Sequence, residues 1–426
     1  MAEHPTATPN APPRIVLYVK DHGTSGPIAR AAQVAHALQE RGAQVQVMLR
    51  EEIAGNAMLG EGIDVLPYRV PTNIWPDRLD PARQLKKLRP DILLVDEYPF
   101  VNQHDAPEWE RVIDAGKRAN PALRVAGMTC DIPIYPKDVE AAHVPRRAHR
   151  VDEIFITGDP SVIDFKHYVE PGEAASSVRD KLGYVGFMQQ KPEMSAAVAS
   201  PSARPRVLVY LGGHAQDHER QYLSLMANIP HMSEALRHAD WEFILPAQQH
   251  LMVQTKIDAM YARLPDDVRA HVHLTPAGSP GEFTEKLKRA DMAVTGGGQT
   301  AIESSLLHGV PTVIVPTRNP EQHHRMRRFA EAMPEHVAGM GIPSPGFKQV
   351  TRARLVYEVY YQKDTRDWVD KTLDWAATDP DAAKMRDTMD RIFAQREHKR
   401  PNSNIMLDGA QHIAERLTQP ATEAAR

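Results

Sequence analysis

The chain has 426 residues, 42% hydrophobic and 25% charged, with a formal net charge of -4. That is globular composition, and at roughly 150 residues per domain it predicts two or three domains. The charge argues against general nucleic-acid binding, the single Cys130 excludes a disulfide framework or a multi-cysteine zinc site, and no run approaches the roughly 20 apolar residues of a membrane helix.

The N-terminus has no apolar stretch of the secretory kind, so a cytoplasmic protein is expected. Residues 1–12, rich in Pro, Ala and Thr, predict a disordered start. Residues 14–19 (RIVLYV) read as a buried strand and 27–41 as a helix, with Ile28, Ala31, Ala32, Val34, Ala35 and Leu38 near helical spacing. Residues 45–49, 91–95, 123–128 and 152–156 are further short apolar strands, with helix-like stretches such as 108–118 between them. This alternation predicts a parallel sheet covered on both faces. Residues 189–205, with three prolines and no periodicity, read as a linker. The alternation then restarts, with strands at 206–211, 242–245, 271–274, 292–295 and 312–315. A charged, mostly helical tail follows, divided near Pro401.

The densest chemistry lies in residues 291–325 (DMAVTGGGQTAIESSLLHGVPTVIVPTRNPEQHHR). A strand ends at Thr295, Gly296, Gly297 and Gly298 follow, and a helix opens at Gln299 or Thr300. Glycines allow close backbone approach to an anion and positive φ. The free N–H groups and dipole of the next helix favour a phosphate there. Glu303, one turn on, shares a face with Thr300, and its carboxylate suits the two hydroxyls of a ribose. Glu321 and Gln322 open another helix above the same strand ends. A plain tight turn explains Gly309, Val310 and Pro311, but not Glu303, Glu321 and Gln322 together.

Gly212 and Gly213 form a second glycine loop after strand 206–211. His214 beside them either touches a pyrophosphate or only closes the loop. In the first half, residues 20–30 join strand to helix in a pattern that is neither GxGxxG nor the P-loop. Asp21, His22, Thr24 and Ser25 stand at that mouth, where an ordinary capped turn is the other reading. Further strand ends carry Asp96, Glu97 and Tyr98, then Thr129, Cys130 and Asp131, then Gly158 and Asp159. The basic runs 145–150 and 325–328 read as solvated helix faces; attraction to an anionic acceptor or membrane surface is a second reading that nothing else in the sequence indicates. Asp379-Pro380-Asp381 reads as a turn.

These segments resemble the GT-B-fold glycosyltransferases, in particular glycosyltransferase family 28 and its related predicted glycosyltransferases. The stretch GGGQTAIESSLLHGVPTVIVP with EQHHR resembles the donor-binding region of that family. DILLVDEYPF (91–100), EIFITGDP (153–160) and LGYVGF (182–187) resemble first-domain segments, and GGH after Leu211 the second glycine loop. The resemblance spans roughly residues 14–335. It implies an α/β protein of two Rossmann-like doubly wound domains, with a cleft between them and a C-terminal helix. The expected divisions are a disordered 1–12, an acceptor-binding domain 13–188, a linker 189–205, a nucleotide-sugar-binding domain 206–381, and a helix with frayed tail, 382–426, crossing back.

By that resemblance Gly297, Gly298 and Thr300 meet the donor diphosphate, and Gly212, Gly213, His214 and Gln299 are further donor-binding candidates, His214 standing where the family has a small residue. Glu303 meets the ribose, and Glu321 and Gln322 the donor sugar. Thr24, Ser25, Glu97 and Tyr98 face the acceptor. The implied reaction is inverting and uses neither metal nor cofactor, the nucleotide-diphosphate sugar being a substrate. One departure bears on mechanism: the family commonly has Gly-His-x-x-Arg where this chain reads Gly26-Pro27-Ile28-Ala29-Arg30. His22, Asp21 and Asp131 become the candidate bases, unless the nucleophile needs none. Two rivals are a nucleotide-sugar epimerase of the same fold and a nucleotide-binding homologue without transferase activity. The sequence specifies neither the base and sugar of the donor, nor the acceptor, nor the oligomeric state.

Overall fold

The computed structural model describes residues 11–19, 25–54, 59–60, 62–69, 78–101, 104–132, 143–164, 178–188, 204–212, 215–245, 251–278, 280–316, 320–340, 365–398 and 405–419. The chain divides into two units, Met1–Gln190 with Ile405–Arg426, and Lys191–Asn404.

Seven strands form the sheet of the first unit: β1 (Arg14–Tyr18), β2 (Gln44–Arg50), β3 (Asp64–Tyr68), β4 (Ile92–Asp96), β5 (Arg124–Cys130), β6 (Glu153–Thr157) and β7 (Leu182–Tyr184). Their order is β3-β2-β1-β4-β5-β6-β7 and every pairing is parallel. Helices α1 (Ser25–Glu40), α2 (Pro81–Leu88) and α3 (Ala106–Ala119) cover it. The two-residue period of a strand explains the covering. Ile15, Leu17 and Val19 turn to one face and pack with Ile28, Ala31 and Leu38 of α1. Val16 and Tyr18 turn to the other and pack with Trp109 and Val112 of α3. Strand order reverses between β1 and β4, so the chain leaves these neighbours in opposite directions.

The second unit repeats the plan with β8 (Arg206–Tyr210), β9 (Asp240–Leu245), β10 (Val272–Pro276), β11 (Met292–Thr295), β12 (Thr312–Ile314) and β13 (Val337–Gly339). The order is β10-β9-β8-β11-β12-β13, again all parallel, reversing between β8 and β11. Its helices include α4 (Ala215–Asn228), α5 (Leu251–Arg263), α6 (Pro280–Arg289), α7 (Gln299–Leu307), α8 (Pro320–Ala332), α9 (Thr365–Thr378) and α10 (Pro380–Phe393). One sheet face buries Val209, Trp241 and Phe243 against Tyr222 and Met226 of α4, Ile257 of α5, and Met385 and Met389 of α10. The other buries Leu208, Ile244 and Ala293 against Leu287 of α6. Asp379-Pro380-Asp381 is the start of α10, with the Asp379 carboxylate accepting from the Asp381 N–H at 2.8 Å.

The expected departure from the second domain at residue 382 needs correction. Ala382, Met385, Met389, Ile392 and Phe393 are buried in the second unit, so α10 belongs to it. The segment packed in the first unit begins at Ile405 and contains α11 (Gly409–Thr418). Ile413 and Leu417 join the cluster of α1 and β1. Phe187 N–H donates to Met406 O at 2.8 Å, and Met406 N–H to the Asp159 carboxylate at 2.6 Å. Arg416 pairs with Glu153 at 3.2 Å, and Arg124 donates to Arg416 O at 3.0 Å.

Candidate functional site

In the second unit the loops after β8 and β11 flank the point where strand order reverses, the place in an open α/β sheet where a crevice forms. After β11 the backbone turns on Gly297, whose φ is +88°. Its N–H donates to Thr295 Oγ1 at 3.1 Å. A side chain here would be strained by φ, and its Cβ would lie 3.1 Å from Gln322 Cβ and 3.3 Å from Ile314 Cγ2. Gly298 differs. It has φ -65° and ψ 135° as the N-cap of α7, and a Cβ on it would meet nothing within 4 Å. The loop is therefore packed on the side of α8 and open at the helix start.

That helix start is uncapped. Gly298 has no side chain to offer, and the first turn of α7 has no acidic residue. Its leading N–H groups lack intrahelical acceptors by the geometry of any α-helix. Gly298 and Thr300 are exposed and Gln299 half-buried, so the positive end of α7 faces solvent. Glu303 is only 2% exposed, unlike Thr300 one turn before it.

The sequence reading missed Arg325. Taken as part of a solvated basic run, it is 1% exposed. Nη1 donates to Gly297 O at 2.9 Å and Nη2 to Glu321 Oε1 at 2.6 Å. The signal lay in the spacing: Glu321 and Arg325 are four apart on α8, where side chains meet. Glu321 and Gln322 sit half-buried in the first turn of α8, and Gln322 packs on Gly297. The structure thus brings Gly297, Gly298, Glu321 and Gln322 together.

On the β8 side, Gly212 has φ +115°. Leu211 N–H donates to Tyr222 Oη at 3.3 Å, and that hydroxyl donates to Ile244 O at 2.8 Å, tying the loop's start to α4 and β9. Burial pushes the Tyr222 phenol well up, keeping it a neutral donor. Lys256 of α5 and Glu219 of α4 form a buried pair at 2.6 Å. Gly213 and His214 lie outside the described residues.

The strand ends of the first unit carry side chains instead. Arg30 of α1 donates through Nη2 and Nε to Asp96 Oδ1 at 2.7 and 3.1 Å, both residues being buried. Burial opposes the guanidinium charge, but Asp96, with Cys130 and Glu97 nearby, outweighs it and raises the Arg30 pKa. Glu97 is held at φ +62°, its N–H donating to Met128 O at 2.5 Å and its carbonyl accepting from Phe100 N–H at 2.8 Å. Tyr18 Oη donates to Glu108 Oε1 at 2.5 Å, and its ring meets Trp109 edge-on at 4.7 Å.

Several expected residues of this mouth move or fall outside view. Asp21, His22 and Thr24 lie outside the described residues, as does the side chain of Ser25. Glu97 stands half-buried at the end of β4. Tyr98 is a correction: it is fully buried, with Oη donating to Arg147 O at 3.3 Å, and it fills the core rather than facing an acceptor. Asp131 is 1% exposed, packed beside Gly158 at the neighbouring strand end. Among the described residues no three His, Cys, Asp or Glu side chains are grouped to hold a metal ion, and no helix is long and apolar enough to cross a membrane.

No protein-family model matches this sequence, and no curated protein matches it either. Solved structures match along nearly the whole chain. MurG of Acinetobacter baumannii aligns with 95% of this chain and 99% of its own, at 12% identity and a TM-score of 0.51. The spinosyn forosaminyltransferase SpnP aligns with 98% of this chain and 100% of its own, at 14% identity and a TM-score of 0.51. The spinosyn rhamnosyltransferase SpnG complexed with thymidine diphosphate aligns over 96% and 100%, at 14% identity and a TM-score of 0.51. The likeness is one of fold: two doubly wound parallel sheets in the GT-B arrangement.

Proposed function

We propose that this chain is a glycosyltransferase that moves a sugar from a nucleotide-diphosphate donor to an acceptor, in the cytoplasm, with inversion at the anomeric carbon and no metal ion. One observation carries the reading: an uncapped helix start behind a glycine turn at the reversal point of the second sheet. N–H groups without intrahelical acceptors and the positive helix end favour a diphosphate in the ground state, and more so the fuller charge it bears as a leaving group. This is the stabilisation that a divalent cation would otherwise supply. That SpnG has been solved with thymidine diphosphate, and also with spinosyn aglycone, supports a nucleotide donor and a separate acceptor here.

In this scheme Gly297, Gly298, Gln299 and Thr300 hold the diphosphate with Gly212, Gly213 and His214. Glu303 takes the ribose hydroxyls, and Glu321 and Gln322 the donor sugar. The acceptor nucleophile attacks the anomeric carbon opposite the diphosphate. The new bond forms as the carbon–oxygen bond to phosphate breaks, and the acceptor proton passes to a base. His22, Asp21 and Asp131 are the candidate bases. Proline at position 27 favours a second reading, a nucleotide-binding protein without transferase activity.

A thermal-shift screen against UDP, GDP, dTDP, ADP and CDP, with and without Mg²⁺, tests the donor site. Stabilisation by one nucleotide class regardless of Mg²⁺ is expected. No shift with any of them would remove the reading. Product analysis then separates the alternatives: only a transferase releases nucleoside diphosphate in response to acceptor.

A further inference from the structure

Arg325 is buried to 1% exposure at the back of the glycine turn, and it is the element of this site that neither the glycine pattern nor Glu321 and Gln322 account for. A buried guanidinium is costly unless its donors are spent on well-placed acceptors. Here Nη1 holds Gly297 O at 2.9 Å and Nη2 holds Glu321 Oε1 at 2.6 Å. The two acceptors belong to different elements, the turn before α7 and the first turn of α8.

The consequence follows from peptide geometry. The Gly297 carbonyl and the Gly298 N–H share one planar trans peptide, so they point in opposite directions. Anchoring the carbonyl on Arg325 turns the Gly298 N–H away from the core, toward the side where a Cβ on Gly298 would meet nothing within 4 Å. The same guanidinium fixes one oxygen of the Glu321 carboxylate. We propose that Arg325 is a positioning residue that sets two parts of the donor site at once: the N–H that meets the diphosphate and the carboxylate that meets the donor sugar. This rests on the donor-site reading above. Arg327 and Arg328, in the same basic run, are exposed or half-buried and do not share the role.

The test compares wild type with Arg325→Met, Arg325→Lys and Glu321→Gln. The probes are UDP and dTDP with the matching monophosphates, and affinity is read by calorimetry. Wild type is expected to bind one diphosphate. Arg325→Met is expected to lose roughly tenfold or more in diphosphate affinity, as when a hydrogen bond to a charged group is lost. Monophosphate affinity should fall less, so the diphosphate-to-monophosphate ratio drops. Arg325→Lys, able to hold one partner at a time, should fall in between. Glu321→Gln, probed in addition with UDP-glucose and dTDP-glucose, should weaken those nucleotide sugars more than it weakens the free diphosphates. Amide exchange at Gly297–Thr300 should quicken in Arg325→Met in the absence of nucleotide.

An unchanged ratio in Arg325→Met, or an equal loss for mono- and diphosphate together with a lowered melting temperature, overturns the positioning role. If Arg325→Met does not fold, Arg325→Lys keeps the buried cation, removes the fork and carries the same comparison; full wild-type affinity in it would overturn the proposal. Failure of wild type to bind any probe identifies the donor-site reading as the fault, and the proposal falls with it.

Discussion

The two sheets are built alike and end differently. Both are parallel, and both reverse direction at one internal pair of strands. In the second unit the reversal point ends in backbone: a glycine at φ +88°, an uncapped helix, and a buried arginine behind them spending its donors on the turn. In the first unit it ends in side chains that satisfy one another, Arg30 with Asp96 and Tyr18 with Glu108. One scaffold can thus end in a backbone turn that opens a helix, or in side chains that close their charges on one another.

If this contrast is correct, damage to the two mouths separates stability from binding. The largest stability effect belongs to Arg30. Arg30→Met strands Asp96 in the core and should cost about 3–5 kcal/mol in urea unfolding, with nucleotide affinity unchanged in the folded fraction. A loss under about 1 kcal/mol would show that the pair is not the anchor described.

The next effect is alkaline. Burial is the main cause pushing the Tyr68 phenol up to about 12, with Glu108 adding to it against Tyr18 and Arg50. The unfolded chain ionises near pH 10 while the folded one keeps its proton, so stability is complete below pH 10 and is lost as pH rises through 12. The loss should be on the order of 2–3 kcal/mol, and Tyr68→Phe should flatten the fall of melting temperature over that range. An identical slope in Tyr68→Phe would remove Tyr68 from the account.

The smallest stability effects lie in the glycine turn, where binding should respond instead. Gly297→Ala should cost about 1–2 kcal/mol from its positive φ and weaken diphosphate binding by about tenfold or more as the turn shifts against Gln322. Gly298→Ala, with ordinary φ and open space, should cost only the alanine penalty at an N-cap, about 0.5–1 kcal/mol. Equal behaviour of the two glycines would break the distinction between the packed and open sides of the loop.

Much of this was legible in the residues. Continuous apolar runs such as 14–19 and 206–211 mark buried parallel strands because both sheet faces are covered. The run Gly296–Gly298 before a helix marks the turn without any knowledge of its neighbours. The edges were less legible. β3 contains Pro67 and pairs only with β2, an outer position where the missing N–H does no harm. β13 has three residues, too few for a period to show. Side-chain burial at strand ends was the least legible. Tyr98 and Asp131 follow strands as site residues do, but the faces they meet are set by partners distant in sequence, Arg147 for Tyr98 and Gly158 for Asp131. Arg325 was hidden by its own neighbours: a basic run looks solvated until the helix is wound and one member turns inward.

The most direct measurement of the central claim is amide hydrogen exchange of the whole chain with and without the diphosphate that stabilises it. The account predicts protection concentrated at Gly297–Ala301, with the strand ends at Asp96–Tyr98 and Cys130–Ile132 unchanged. Protection centred on those first-unit strand ends, with the glycine turn unaffected, would contradict it.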